Sequence, residues 1–259
     1  MSRTESHSQT PPPKNDPIHP VAIITGSAQR IGKALATELH AHGYNVVLHY
    51  FRTSVQSLVD ELNQRRNHSA IAVQANLNDT AAADTIVDAA IKHYQRVDCL
   101  INNASSFYPT PIGNADHQQW QDLINTNAAA PFFISQACAP HLKRTLGSII
   151  NIADIYADKP KREHTLYCMA KAANVMLSKS LAVELAPEVR VNGIAPGAAL
   201  WPNDTPPADE QGSLQKIPLA RIGGAKAIVD TALFLLKKDS YITGQIIAVD
   251  GGKAIAGIA

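Results

Sequence analysis

The amino-acid sequence predicts an α/β fold, a single Rossmann-type doubly wound domain with a seven-stranded parallel sheet and helices on both faces. Two observations predict it. From Pro20 onward, short apolar runs alternate with longer runs of helical periodicity, the pattern of parallel strands joined by crossover helices. The first apolar run leads into a glycine-containing turn that opens a helix, as in dinucleotide-binding proteins. No repeat or linker divides residues 20–259, so they are expected to form one domain.

Each predicted strand is a short run rich in Val and Ile, whereas each predicted helix is longer, with apolar residues three and four positions apart. Residues 1–19 are instead rich in Ser, Thr and Pro and predict a disordered tail. The predicted strands span 21–25, 45–49, 70–74, 98–102, 148–153, 189–194 and 245–250. The predicted helices lie near 30–42, 54–66, 80–95, 117–143, 165–186 and 225–238.

Composition excludes several classes of function. The formal net charge of +1 on 259 residues gives no broad field for nucleic acid or an anionic membrane. No apolar run reaches the length of a membrane span, and the first residues lack the apolar core of a signal peptide. Three cysteines without CxxC spacing and ten histidines without paired spacing favour reduced thiols and no metal. We expect a cytoplasmic protein.

The turn after the first strand reads TGSAQRIG. Gly26 permits a tight turn, Gly32 lets the helix pack closely, and the helix N-terminus directs its amide groups at a diphosphate. The spacing is GxxxRxG, and Arg30 adds a cation that can meet a cofactor phosphate or an oxygen-rich ligand. A glycine turn without a ligand is the alternative interpretation.

The second strand and its loop, NVVLHYFRTS, contain neither Asp nor Glu. An NAD enzyme places a carboxylate here for the ribose 2′-hydroxyl, whereas an arginine suits a 2′-phosphate. Arg52, flanked by Tyr50, Thr53 and Ser54, therefore predicts NADP(H) as the cofactor.

The third and fourth strands should end beside the same cleft. Asn76 and Leu77 follow the third strand and are placed to touch adenine. The fourth strand ends in NNASSF, from which Phe107 projects into the cleft and can stack on a flat ligand. Asn127 lies within the predicted helix 117–143, where a poor helix former indicates a backbone or water contact in the site.

The stretch Ser148 to Lys171 carries the chemistry. Tyr167 and Lys171 are four apart, so on a helix they share one face, and Asp154 stands where the preceding strand ends. An ammonium lowers the pKa of a neighbouring phenol and a carboxylate raises it, so the three groups predict a proton-transfer site. With a carboxyl at this position, the site favours proton donation, and hence reduction.

Two later segments bear on assembly and substrate access. Helix 165–186 is rich in small residues, which allows a partner helix to approach and predicts association between copies. Residues 198–216 are irregular and Pro-rich near their start, the composition of a substrate lid.

These motifs together resemble the short-chain dehydrogenase/reductase family over nearly the whole chain after residue 20. They are TGxxxRxG, NNA, Asn127, Tyr167 with Lys171, APG and the terminal ITGQIIAVDGG. Position 154 is Asp where most members have Ser, and NNA continues as SSFYPTP. Those departures, with Arg30 and HYFR, are similar to the pteridine reductase branch. Asn76 departs from the Asp that is common at its position.

The resemblance implies roles for individual residues. Tyr167 donates a proton, Lys171 holds the nicotinamide ribose and tunes Tyr167, Asp154 supports or shares the proton, and Asn127 completes a relay. Phe107 sandwiches a pterin substrate against the nicotinamide, aided by Arg30, Ser105, Asp154 and Tyr167. The cofactor-binding residues it implies are Gly26, Arg30, Ile31, Tyr50, Arg52, Thr53, Asn76, Leu77, Asn103, Ala104, Ser105, Tyr167, Lys171, Pro196 and Gly197.

The expected activity is NADPH-dependent reduction of a pterin, with biopterin, dihydromonapterin and dihydrofolate left open as substrates. Antifolates are expected inhibitors, and the expected assembly is a homotetramer. One alternative is a carbonyl reductase of the same fold, acting on a 3-oxoacyl thioester or a sugar-like ketone. Another is a non-catalytic NADP-binding protein, against which the presence of both Tyr167 and Lys171 argues.

Overall fold

The computed structural model describes residues 18–201 and 208–256. Residues 1–17 of the predicted tail and residues 202–207 of the predicted lid lie outside the described residues. Within the two described ranges, none of the helices combines the length and the apolar composition that a bilayer crossing requires.

Seven strands form in the described part of the chain, close to the predicted positions. They are β1 (Val21–Ile24), β2 (Asn45–Tyr50), β3 (Ala70–Gln74), β4 (Cys99–Asn102), β5 (Ser148–Ile152), β6 (Arg190–Pro196) and β7 (Ile246–Val249). All neighbours pair in parallel, in the order β3-β2-β1-β4-β5-β6-β7. The predicted fold class is confirmed.

The helices cover both faces of this sheet. They are α1 (Arg30–Ala41), α2 (Gln56–Arg65), α3 (Ala82–Tyr94), α4 (His117–Ile124), α5 (Ala130–Thr145), α6 (Thr165–Glu184), α7 (Glu210–Gln215) and α8 (Gly224–Leu235). Apolar stripes of α1, α2 and α8 share one core cluster, and those of α3, α5 and α6 share the other.

Strand β1 shows why the sheet needs cover on both sides. Its residues are all fully buried, with Ala22 and Ile24 in one cluster and Val21 and Ile23 in the other. Because successive strand side chains point to opposite faces, an unbroken apolar run can be buried only between two layers.

The predicted helix 117–143 forms, but it is not α-helical throughout. A π-helical turn, Asn125–Ala129, separates α4 from α5. Pro131 has no amide hydrogen for the carbonyl of Asn127, four residues earlier, and its ring crowds that carbonyl. The chain accommodates this with the wider turn, which is a common place for functional residues.

The sequence predicts an irregular segment over residues 198–216, but the described part of that segment contains a helix. The helix α7 forms within them, and the Asp209 carboxylate caps it by accepting from the main-chain N–H of Gly212 at 2.8 Å. A short polar helix of this kind carries no apolar stripe that periodicity could reveal.

The sheet order reverses between β1 and β4. The chain moves outward from β1 to β2 and β3, and then returns to place β4 on the other side of β1. Ligands of doubly wound sheets bind in the crevice that such a reversal leaves at the carboxyl ends of the strands.

Candidate active site

A cleft of about 1390 Å³ lies at this reversal. It brings together segments that are far apart in the sequence, from the β1–α1 turn to the end of β6. The predicted residues that line it are Gly26, Arg30, Ile31, Tyr50, Arg52, Thr53, Asn76, Leu77, Asn103, Ala104, Ser105, Asp154, Tyr167, Lys171, Pro196 and Gly197. Among the described residues that form this lining, Asn127 and Phe107 do not appear.

The β1–α1 turn requires glycine for steric reasons. Gly26 has φ +66°, and a Cβ there would lie 2.9 Å from the Cα of Ala104. A Cβ on Gly32 would lie 2.1 Å from the carbonyl oxygen of Gly26. Because glycine has no Cβ, the first turn of α1 can approach the cleft closely.

The start of α1 is suited to an anionic group. Gln29 makes no side-chain capping hydrogen bond, and the first turn contains no acidic residue. Its main-chain N–H groups and the positive end of the helix dipole are therefore available to a phosphate. Arg30 adopts a left-handed φ of +55°, an uncommon conformation for a residue with a side chain, and it lines the cleft.

His49 holds this turn in place, a role that the sequence analysis missed. Its Nδ1 accepts from the main-chain N–H of Gly26 at 3.2 Å, and its Nε2 donates to the carbonyl of Ala75 at 3.1 Å. Burial lowers the pKa of His49, which favours the neutral ring that these two bonds require. The only signal in the sequence is one polar residue inside an apolar strand.

The far end of the cleft contains the residues expected at the adenosine. The guanidinium of Arg52 lies over the ring of Phe51, 5.1 Å from its centroid. Both side chains are exposed, so Arg52 remains accessible to a ligand. The amide oxygen of Asn76 accepts from the main-chain N–H of Asn78 at 3.2 Å, which orders the turn after β3.

Thr25 joins the turns that follow β1 and β4, and it too was missed. Its Oγ1 accepts from the main-chain N–H groups of Asn103 at 2.9 Å and Ala104 at 3.0 Å. The amide of Asn103 donates back to the carbonyls of Thr25 and Gly26, at 2.9 and 3.0 Å. The floor of the cleft is thereby fixed across the topological switch point.

Asp154, Tyr167 and Lys171 meet on one side of the cleft, as the spacing predicts. The Tyr167 hydroxyl donates to Oδ2 of Asp154 at 2.7 Å, while Oδ1 of Asp154 accepts from the main-chain N–H of Tyr156 at 2.8 Å. The Lys171 ammonium donates to the carbonyl of Ile152 at 2.8 Å. Lys171 and Tyr167 are 2% and 4% exposed, so little water screens the electrostatic interactions between these groups.

The electrostatics keep the proton on the phenol. Burial raises the pKa of Tyr167, and the adjacent carboxyl of Asp154 raises it further. Burial also raises the pKa of Asp154, although its hydrogen bonds and Lys171 work in the other direction. Burial lowers the pKa of Lys171 to about 8. The phenol is therefore an acid in this site and not a phenolate.

Asn127 lies behind the cleft and acts on its wall. The Ser105 hydroxyl donates to Oδ1 of Asn127 at 2.7 Å. The Asn127 amide donates to the carbonyls of Ser106 at 3.0 Å and Leu123 at 2.9 Å. Asn127 is fully buried, so it orients the Ser105–Ser106 segment from within the protein.

Phe107 lies beside the cleft, at the proton-transfer group. Its ring contacts the Tyr167 ring edge to face at 4.7 Å and stacks on His164 at 4.8 Å with a 26° angle. The main-chain N–H of Thr110 donates to the carbonyl of Glu163 at 2.6 Å, which ties the two segments together. Phe107 remains 48% exposed, so part of its surface is open to a ligand.

Comparison with known proteins agrees with this geometry. Residues 26–254 match a family model described as enoyl-(acyl carrier protein) reductase. The chain is 38% identical to pteridine reductase 1 of Leishmania tarentolae, over 92% of this chain and 98% of that protein. It is 33% identical to the uncharacterized oxidoreductase YmfI of Bacillus subtilis, over 91% and 99%.

A further relative carries a different activity in its name. The chain is 32% identical to the 3-oxoacyl-[acyl-carrier-protein] reductase FabG of Staphylococcus aureus, over 89% of this chain and 96% of that protein. The cleft, the Tyr167–Lys171 pair and these full-length similarities all indicate the same family. The chain belongs to the short-chain dehydrogenase/reductase family of nicotinamide-dependent oxidoreductases.

Proposed function

We propose that this protein reduces pterins with NADPH, converting a biopterin or dihydropterin to the tetrahydro form. Dihydromonapterin and dihydrofolate belong to the same substrate class. The observation that carries the proposal is the 2.7 Å hydrogen bond from the Tyr167 hydroxyl to the half-buried carboxyl of Asp154, beside the Lys171 ammonium. The 38% identity to pteridine reductase 1 supports it.

The carboxyl suits the chemistry of a C=N bond. Reduction of that bond adds a hydride to carbon and a proton to nitrogen, and a bound NADPH supplies the hydride. Tyr167 stays protonated next to Asp154 and can donate its proton to the nitrogen. Asp154, whose own pKa is raised, can return a proton to the phenol through the bond that joins them.

Tyr167 and Asp154 are thus the proposed proton donor and its support. Lys171, a buried cation beside them, is proposed to hold the nicotinamide ribose and to moderate the rise in the pKa of the phenol. Asn127 is proposed to complete the proton relay through Ser105, whose hydroxyl it orients.

The residues of the cleft fit NADPH. The two glycines leave room for a diphosphate at the uncapped start of α1, where Arg30 and Ile31 lie. The exposed Arg52, with Tyr50 and Thr53, suits a 2′-phosphate, since no carboxylate follows β2 to hold a 2′-hydroxyl. Seven further lining residues are proposed to contact the rest of the cofactor: Asn76, Leu77, Asn103, Ala104, Ser105, Pro196 and Gly197.

The substrate pocket is proposed to lie between Phe107 and the nicotinamide. A pterin is flat, aromatic and edged with donors and acceptors, so it gains from a ring beside Tyr167 and from polar groups at its rim. Ser105 and Arg30 are proposed to supply those polar contacts. Diaminopteridine antifolates present the same face and edge, and are proposed as inhibitors.

The second candidate is reduction of a 3-oxoacyl thioester. The similarity to FabG favours it. A ketone also needs a hydride and a proton, so Tyr167 and Lys171 would serve it equally. A linear acyl chain, however, has no ring to stack on Phe107.

Steady-state NADPH oxidation separates the two candidates. The protein is assayed with biopterin, dihydrobiopterin, dihydromonapterin, dihydrofolate and an acetoacetyl thioester under identical conditions. We expect kcat/KM for at least one pterin to exceed that for the thioester by about tenfold or more, a difference of about 1.4 kcal/mol in transition-state stabilisation. Turnover of the thioester alone would replace the pterin proposal with the second candidate.

A further inference from the structure

The carbonyl of Asn127 lacks its ordinary helical partner. In an α-helix it would accept from the main-chain N–H four residues later, but that residue is Pro131, which has none. The carbonyl is instead taken by a side chain from another helix, because Nδ2 of Asn174 donates to it at 3.0 Å. Asn127 is fully buried, so no bulk water can replace this donor.

Asn174 is not explained by packing. It lies on α6, is 1% exposed, and its Oδ1 has no hydrogen-bond partner within the described residues. That unpaired acceptor costs free energy, which offsets part of what the amide contributes by satisfying the Asn127 carbonyl. Packing alone therefore does not account for an asparagine at this position.

The hydrogen bond from Asn174 begins a path that leads to the acid. The backbone it holds belongs to Asn127, whose side chain accepts from the Ser105 hydroxyl at 2.7 Å. Ser105 and Tyr167 line the same cleft, and Ser105 opposes the rise in the pKa of the phenol. Asn174 and Tyr167 are both buried on α6, so the path closes on the helix where it started.

We propose that Asn174 is a positioning residue for Tyr167, acting through the Asn127 carbonyl and the Ser105 hydroxyl. It supplies the donor that Pro131 withholds, which fixes the π turn and with it the direction of the Asn127 carboxamide. Without this donor, the buried carbonyl is left unsatisfied, and the Asn127 carboxamide that accepts from the Ser105 hydroxyl is no longer held in place. The inference rests on the proposed function only in taking Tyr167 as the proton donor.

The substitution Asn174→Leu removes the donor and keeps the number and branching of the side-chain heavy atoms. We expect kcat to fall about tenfold, within the range that misplaced catalytic groups cause, with KM and the NADPH dissociation constant within about twofold of wild type. The Tm should fall as well, because the buried Asn127 carbonyl loses its donor. Asn174→Ala, which also deletes the donor, takes its place if the leucine variant does not fold.

Asn192→Leu is the matched control. Asn192 is also a buried asparagine, 2% exposed, but it lies near the start of β6, away from Asn127. Its side-chain amide bonds to the main chain of Ile242 and Gln245. We expect a lower Tm from this substitution too, but a kcat within about twofold of wild type.

A double substitution decides the mechanism. If Asn174 acts through Ser105, the variant Ser105→Ala/Asn174→Leu should have the same kcat as Ser105→Ala, within about twofold. The inference would be overturned if the double variant lost kcat by the product of the two single losses. A kcat for Asn174→Leu within twofold of wild type would also overturn it. The ratios are measured on whichever substrate the wild type reduces. Absence of pterin turnover therefore contradicts the proposed function. The kcat ratios measured with a thioester would still test the role of Asn174.

Discussion

The Tyr167 hydroxyl donates a 2.7 Å hydrogen bond to the Asp154 carboxyl, whose other oxygen caps the 3₁₀ turn Ile155–Ala157 at the end of β5. The phenol is therefore tied to the sheet through the backbone, and its direction is set before any ligand binds. Burial raises the pKa of both groups, so each binds its proton more tightly than the free side chain does.

Removal of the phenol oxygen should stop proton donation. We expect Tyr167→Phe to lower kcat by about 10²-fold or more, the usual contribution of a general acid, because the ring remains and only the acid is lost. The NADPH dissociation constant, measured by fluorescence titration, should stay within about twofold. Activity within twofold of wild type would place the donor elsewhere.

The buried carboxyl should reduce stability at neutral pH. The pKa of Asp154 is raised, so as pH rises through and above its ordinary range, the folded protein is penalised for ionising a buried group. The substitution Asp154→Asn replaces that carboxyl with an amide, which carries no charge at any pH. The Tm of this variant relative to wild type should therefore be higher at about pH 8 than at about pH 5. A Tm difference that falls over this range would show that the carboxylate stabilises the fold.

The alkaline limb of activity should report Lys171. Its pKa is lowered to about 8, so its ammonium loses a proton as the pH rises through that value. Since the positive charge supports both Tyr167 and the bound cofactor, we expect kcat/KM to decline above about pH 8. A profile that stays flat to about pH 10, the ordinary range of a lysine, would contradict this assignment.

Cofactor choice should depend on Arg52. We expect NADPH to bind at least about tenfold more tightly than NADH, a difference of about 1.4 kcal/mol, and Arg52→Asp to erode that preference. Arg65→Asp is the control, since it makes the same change of charge on an exposed arginine that pairs with Glu61 at the end of α2. Equal affinity of the unmodified protein for both cofactors would remove Arg52 from this role.

Much of the fold follows from local patterns. The seven strands were predicted because each is a short run rich in apolar residues, and the parallel sheet followed from their alternation with helices. The meeting of Asp154, Tyr167 and Lys171 was predicted as well, since a strand end and one helical turn set their positions. The homotetramer and the cytoplasmic location stay predictions.

What was missed depends on contacts between distant segments. His49 is defined by partners 23 and 26 positions away, and Thr25 by partners in the β4 turn, so neither has a local signature. The π turn arises because Pro131 acts on the carbonyl of Asn127, four residues earlier. The hydrogen bond that Asn174 donates to this carbonyl joins residues 47 positions apart. Periodicity identifies faces of helices and strands, but not the pairing of individual polar atoms.

The central claim is that a flat pterin ring binds at Phe107, and equilibrium binding tests it without requiring turnover. A dihydropterin or a diaminopteridine antifolate such as methotrexate is titrated into the protein saturated with the oxidised cofactor. We expect Phe107→Ala to weaken binding by roughly 1–3 kcal/mol, about 5- to 150-fold, through loss of stacking and buried area.

Phe234→Ala is the matched control for that titration, because Phe234 lies on α8 and its exposed fraction, 49%, is close to the 48% of Phe107. We expect wild-type ligand affinity for this control and unchanged NADPH affinity for both variants. Equal pterin affinity in wild type and Phe107→Ala would contradict pterin binding at Phe107, as would the absence of pterin and antifolate binding to the wild-type complex.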